Sequence, residues 1–143
     1  MALETTPEPP GMRDARRWLR QARHDARDAE WAAESGKHSL ACFLCHQCAE
    51  KSVTAFLLWH GAEGVWGHAL ADLCEDAMAF DPSFDLIKSV AVLLDRHYEG
   101  ARYPSTLPGG VPAEAYDGHD SERALEIARD TLDFVTQRVE SGE

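Results

Sequence analysis

The sequence predicts an all-α protein: an up-and-down bundle of four main helices, with an additional short helix and a long Pro/Gly-rich loop before the last one. Three observations carry this. The stretch from His38 to His60 runs uninterrupted by proline or glycine between Gly36 and Gly61, a length and punctuation that read as one long helix. Apolar residues recur every three or four positions on both sides of it in the chain, within 13–34 and within 121–140, the period of an amphipathic helix. No stretch alternates apolar and polar residues as a half-buried strand would. At 143 residues the chain suits a single domain.

The N-terminus, MALETTPEPPG, has neither a basic n-region nor an apolar h-region, so it is not a signal peptide. A disordered leader is expected over residues 1–11, and a single helical domain over 12–140. The first helix is expected over residues 13–34. Ala15, Trp18, Leu19, Ala22, Ala26, Ala29 and Ala33 form its apolar face. Arg13, Arg16, Arg17, Arg20, Arg23, His24 and Arg27 gather within about a third of the helical wheel on the opposite side.

The second helix, 38–60, is apolar nearly all round, which marks a buried central helix. Ala41, Leu44, Cys45, Cys48, Ala49, Ala55, Phe56 and Trp59 cover one side; Leu40, Phe43, Leu57 and Leu58 add apolar groups on the other. In its middle sits a polar island of His46, Gln47, Glu50, Lys51 and Thr54, and buried polar groups need partners. Trp66, in the loop that follows, is expected to plug the core. A short third helix is expected over 68–79, from Leu70, Leu73, Cys74 and Ala77. Asp81 and Pro82 open a fourth, lined by Phe84, Ile87, Val90, Ala91, Leu94 and Tyr98 and ending near Gly100. Residues 101–118 hold three prolines and three glycines; long loops in small domains are often functional. Asp120 or Ser121 is expected to cap the last helix, whose core face is Leu125, Ala128, Leu132, Val135 and Val139.

Composition narrows the function. A net charge of −11 argues against broad, non-specific nucleic-acid binding while leaving room for a local basic site. No apolar run approaches the ~20 residues of a membrane span. The chain reads as cytoplasmic, with no membrane association. Three of its four cysteines, Cys42, Cys45 and Cys48, share one helix with Cys74 elsewhere, which is not a secreted disulfide framework.

Several stretches together resemble the HEPN domain family, the helical domain named for higher eukaryotes and prokaryotes. WLRQARHDARDAE in the first helix is similar to that family's opening W-x-x-x-A-x-x-D-x-x-x-A, and CFLCHQCAEKSVTAFL to its F-x-x-Q-x-x-E-K-x-x-K-A-x-L. Thr54 departs from the pattern, which often has lysine there. His68 and Leu70 sit at an H-x-L step. Tyr98 with Arg102, Tyr103 and Pro104 matches a Y-x-x-x-R-Y-P corner, and ALEIARDTLDFV matches the closing A-x-x-x-A-x-x-I-x-x-F-V. The resemblance spans about residues 13–140. It implies a four-helix bundle that usually dimerises and acts as the partner of a small nucleotidyltransferase, sometimes as one half of a toxin–antitoxin pair, with nucleotide binding proposed for some members. A subset are ribonucleases with an Arg-x4-6-His motif late in the bundle. Here the one such spacing is Arg17 to His24, in the first helix. The corner offers only Arg96 beside His97, and Arg102 with no histidine in reach.

Four groups of residues are candidates for chemistry. The first is Gln47, Glu50, Lys51, His68, Tyr98, Arg102 and Tyr103. Lys51 and Arg102 can grip a phosphate, Arg102 through its bidentate fork; Tyr98 or Tyr103 can stack on a base; His68 can donate a hydrogen bond. The competing reading is a network that pins the long loop to the bundle. The second is the basic face, Arg13, Arg16, Arg17, Arg20, Arg23 and Arg27. It suits RNA, a nucleotide or an acidic partner surface, against a plain solvated face with pairs such as those to Glu30. No aromatic interleaves it except Trp31. The third is the cysteine run, with His46. On a continuous helix a step of three residues turns the side chain by about 60°. The thiols therefore splay rather than converge on an ion, and buried small hydrophobes are the reading taken; no metal and no cofactor is expected. The fourth comprises His97 with Glu99 and His119 with Asp120. Neither pair has a nucleophile at a recognisable spacing, and adjacent helical residues point apart.

The chain is therefore read as a binding module rather than an enzyme. It is expected to be a homodimer, joined through apolar surface on the first or second helix, with a nucleotidyltransferase partner protein and a nucleotide or RNA as possible ligand. A ribonuclease toxin with a degenerate active site, and a purely structural dimer without ligand, are the alternatives.

Overall fold

A computed structural model describes residues 8–65 and 69–140. The elements are α1 (Pro10–Glu34), α2 (His38–Trp59), α3 (Leu70–Met78), α4 (Phe84–Asp95), α5 (His97–Gly100), a 3₁₀ turn (Pro104–Thr106), α6 (Pro112–Ala115) and α7 (Gly118–Glu140). There is no strand among the described residues. Phe84 at the start of α4 packs on Phe56 near the end of α2, while Asp95 at the end of α4 bonds His46 in the first half of α2. Those two helices therefore run antiparallel. Arg23 and Glu30 of α1 meet Glu140 and Arg129 of α7 in the same antiparallel sense. The topology is the expected up-down-up-down bundle, with α3 as the extra helix.

α2 is the spine, packing on α1, α3, α4 and α7. Its buried residues run all round it, from Ala41 and Cys42 through His46 and Ala49 to Phe56 and Leu57. Gly36 and Gly61, at φ +77 and +84, supply the left-handed residues that end α1 and α2. In the first turn the Lys37 N–H donates to Ala32 O at 2.7 Å, and in the second the Ala62 N–H donates to Leu57 O at 3.0 Å.

α1 and α2 share the most extensive contact in the bundle. Ala15, Ala22, Ala26, Ala29 and Ala32 face Ala41, Cys45, Cys48 and Ala49, all buried. Small side chains on both helices let their backbones approach. Gly11 shows how closely: a Cβ there would lie 2.7 Å from the Leu58 carbonyl oxygen. Residues 10 and 11, expected to end the leader, instead open α1, with Pro10 in its first turn, where a missing N–H costs nothing.

That tight seam also explains a misplaced tryptophan. The apolar spacing of the first helix puts Trp18 in the core, but 39% of it is exposed. It occupies the same heptad position as Asp25 and Ala32, which are buried. A seam built for alanine has no room for an indole, so the ring spreads over the edge.

Other departures are local. The fourth helix pauses at Arg96 and resumes as α5, which leaves Tyr98 45% exposed rather than in the core. The long loop is built of short turns, the 3₁₀ turn and α6, each begun by a proline. The last helix starts at Gly118, and Asp117 rather than Asp120 or Ser121 caps it. The Asp120 N–H donates to Asp117 Oδ1 (3.1 Å) and the Asp117 N–H donates to Asp120 Oδ2 (2.9 Å), a reciprocal capping box. Ser121 is buried and shares a 2.9 Å hydrogen bond with His38 Nδ1.

All four cysteines are buried free thiols. Burial pushes Cys42, Cys48 and Cys74 up to about 12 and Cys45 in the same direction, so they pack as neutral hydrophobes. No group of three or more metal-binding side chains converges among the described residues. Trp66 lies outside the described residues.

Candidate functional site

The polar island of α2 is divided between two neighbours. Lys51 turns towards α1, where its Nζ pairs with Asp25 Oδ2. Asp25 sits on the apolar face of α1, 5% exposed, and also accepts from Gln21 Nε2 at 3.0 Å, one turn earlier. A carboxylate this buried requires such partners.

His46 turns the other way. Its ring is 2% exposed, and its Nε2 lies 3.0 Å from Asp95 Oδ1 at the end of α4. The same carboxylate accepts the backbone N–H groups of Leu70 (2.7 Å) and Ala71 (3.1 Å). Asp95 thus caps α3 from another helix, a role that no side chain of the local N-cap, Ala69, fills. Burial pushes the Asp95 carboxyl up, but the hydrogen bonds from His46, Leu70 and Ala71 outweigh it and hold it below the ordinary aspartate value. An ionised carboxylate only accepts, so His46 carries its proton on Nε2. Its Nδ1, 3.8 Å from a Glu50 oxygen, makes no hydrogen bond among the described residues.

Over the His46 ring lies Tyr98, with centroids 5.4 Å apart, and Tyr98 leads to Arg102. The Arg102 guanidinium stands over three rings: its Cζ is 4.5 Å from the centroid of Phe43, 4.7 Å from Tyr98 and 4.9 Å from Tyr103. Its Nε donates to the Tyr98 carbonyl at 2.8 Å. The corner is folded by two further bonds, from the N–H groups of Arg102 and Tyr103 to Glu99 O. No carboxylate of the described residues reaches the terminal nitrogens of Arg102. Tyr98 and Tyr103 stay 45% and 49% exposed.

The basic face of α1 is differently made. Arg16 donates to Glu8 at 2.8 Å and lies over Trp59. Arg23, half-buried, pairs with Glu140 at 2.8 Å, and Arg17 with Asp14 at 3.3 Å. Arg13, Arg20 and Arg27 are exposed and meet no carboxylate among the described residues. Two shallow hollows flank this ridge and share Arg17 and Arg20. One, of about 530 Å³, lies towards Val139 and Glu140; the other, of about 610 Å³, holds Trp18, Gln21, His24 and Lys51.

The structure therefore brings together Tyr98, Arg102 and Tyr103, with Gln47 and Glu50 half-buried on the strip of α2 that carries Phe43 and His46. It sends Lys51 away to α1. His68 lies outside the described residues. Of the two histidine–carboxylate pairs set aside above, His97 has its Nδ1 3.1 Å from the Tyr116 hydroxyl, and Asp120 is engaged in the α7 cap. Four residues that organise these regions escaped the sequence reading: Trp18, Asp25, Phe43 as a partner of Arg102, and Asp95. Asp25 left a trace, as a lone carboxylate among alanines on an apolar face. Asp95 left none.

Comparison with known proteins agrees with this architecture. The family model described as the HEPN domain matches residues 15–139. The chain is similar to TT1696 from Thermus thermophilus, at 34% identity and TM-score 0.77, covering 87% of this chain and 97% of that one. It is similar to ST0689, an archaeal HEPN homologue, at 33% identity and TM-score 0.72 with 87% and 97% covered. A HEPN domain protein from Thermotoga maritima follows at 25% identity and TM-score 0.70, with 87% and 98% covered. No curated protein matches the chain. With the family model matched across nearly the whole bundle, the chain belongs to the HEPN domain family.

Proposed function

We propose that this chain is a HEPN binding module, a homodimer that works with a small nucleotidyltransferase in a toxin–antitoxin-like pair and presents a nucleotide or RNA phosphate to Arg102. The observation that carries this reading is the state of that arginine. Three rings and a carbonyl hold its guanidinium, yet no carboxylate of the described residues neutralises its fork. Ordering a free arginine costs about 2 kcal/mol of rotamer entropy; here that ordering precedes the ligand, which is preorganisation. A planar fork suits two phosphate oxygens. Tyr98 and Tyr103 beside it offer aromatic surface to a base. Exposed Trp31 and Leu40, at 58% and 41%, lie at the shared α1–α2 end and supply apolar surface for the dimer.

Calorimetric titration with purine and pyrimidine mononucleotides tests the reading. Binding should weaken at least tenfold in Arg102→Ala and partly recover in Arg102→Lys, since lysine restores the charge without the fork. Absence of heat with every nucleotide, at a protein concentration that would reveal millimolar affinity, removes it.

A further inference from the structure

The ridge on α1 has a repeat. Arg13, Arg17, Arg20, His24 and Arg27 follow one another at intervals of four, three, four and three residues. That spacing keeps them on one line along a helix. At about 1.5 Å per residue the line is roughly 21 Å long. Six of the chain's eleven arginines fall between residues 13 and 27 against two aspartates, on a chain whose net charge is −11. Positive charge is thus concentrated on one strip of an otherwise acidic molecule, which focuses an anionic ligand there.

The neighbours of the strip say what kind of anion. Trp18 borders it, exposed for a packing reason already given, and shares its hollow with Arg17, Arg20 and Lys51. Lys51 is held in place by Asp25, and Gln21 lies between. An indole among arginines is the arrangement of single-strand binding, in which the cations follow the phosphates and the ring takes an unstacked base. A duplex hides its base faces, and an acidic protein surface has no use for the ring. Asp14 and Glu8, paired with Arg17 and Arg16, limit the strip at its N-terminal end. That leaves Arg13, Arg20 and Arg27 as the cations with no internal carboxylate among the described residues.

We propose that α1 carries a second binding site, a groove for a single-stranded phosphodiester chain, with Arg13, Arg20 and Arg27 on phosphates of the strand and Trp18 stacked on a base. A strip of this length takes a strand of roughly four nucleotides, at the short end of single-strand site sizes. The site does not rest on the Arg102 corner: strand affinity that follows Trp18 and the arginines supports it even where no mononucleotide binds.

Fluorescence anisotropy with labelled ten-residue oligouridine and oligothymidine tests it, with a duplex of equal length and polyglutamate as comparators. Either strand should bind at about 50 mM salt and lose about 20-fold in affinity by about 200 mM, as three neutralised phosphates require. RNA over DNA identifies a contact to the 2′-hydroxyl; equality means the backbone alone is read; both uphold the site. Trp18→Ala should weaken the strand about tenfold, and Arg13→Gln, Arg20→Gln and Arg27→Gln should each lower the salt slope by about 0.7. All four positions are exposed, and circular dichroism confirms that the variants fold. The proposal falls if neither strand binds at the lower salt, if the duplex binds as well, or if polyglutamate binds equally and Trp18→Ala changes nothing.

Discussion

The corner at Arg102 and the ridge on α1 are both cationic and exposed, yet they are built in opposite ways. At the corner one guanidinium is fixed by Phe43 of α2 together with Tyr98 and Tyr103 of the turn that carries it. On the ridge several guanidiniums hang from one helix, and three of them have no internal partner among the described residues. The first arrangement places a single fork in a set orientation, suited to one phosphate. The second makes a field, whose effect grows with the number of charges and fades with salt. A site built by tertiary contacts is lost when the fold shifts, whereas one built by helical spacing survives as long as its helix does.

Lys51 belongs to the ridge side, since it leaves the α2 polar island to pair with Asp25 and forms part of the Trp18 hollow. Asp25→Ala would leave it half-buried without a counter-charge. Such a loss costs about 3–5 kcal/mol for a fully buried pair; with Lys51 24% exposed, about 2–3 kcal/mol is expected. Urea denaturation measures it, and the double variant Asp25→Leu, Lys51→Met should recover most of the loss. If Asp25→Ala has no effect, the seam does not depend on this pair.

Acid should separate the regions next. Burial lowers the His97 pKa below its ordinary 6.5. The unfolded chain then takes up the proton first, so the stability His97 confers is complete above pH 6.5 and is lost as pH falls through the folded value. Asp95, held below 3.8, confers stability that is complete above that value and is lost at still lower pH. Thermal denaturation from about pH 8 to about pH 5 should show a falling midpoint, and His97→Asn should flatten the curve. An unchanged slope in that variant would place the acid sensitivity elsewhere.

The smallest effect on stability belongs to the ridge. Arg13→Gln, Arg20→Gln and Arg27→Gln each remove an exposed charge with no internal carboxylate among the described residues. They should change unfolding free energy by no more than about 0.5 kcal/mol, measurable in the same denaturation series. A larger loss in any of them would show that the arginine supports the fold.

The helices and their faces were legible in the residues. The all-round apolarity of 38–60 marked the spine, and Gly36 and Gly61 marked its ends. The alternation of alanine and arginine in α1 marked both its seam and its ridge. Trp18 and Tyr98 were placed on the wrong side because a helical wheel records direction and not room. The indole pointed at a seam lined mostly by alanines, and the pause at Arg96 carried Tyr98 outward. The α7 start was misplaced by a few residues because Asp117 and Asp120 both suit a cap, and only their reciprocal hydrogen bonds assign the roles.

By itself the sequence determined where helices form, which stripe of each is apolar, and the spacing of the arginines along α1. Those features depend on residues three and four apart, whose relative positions the helix dictates. Only the tertiary structure decided that Lys51 meets Asp25, that His46 meets the Asp95 carboxylate that caps α3, and that Arg102 rests on Phe43. Each of those partners lies on another element. The choice depends on how closely the helices dock, which is set by the packing of the whole core.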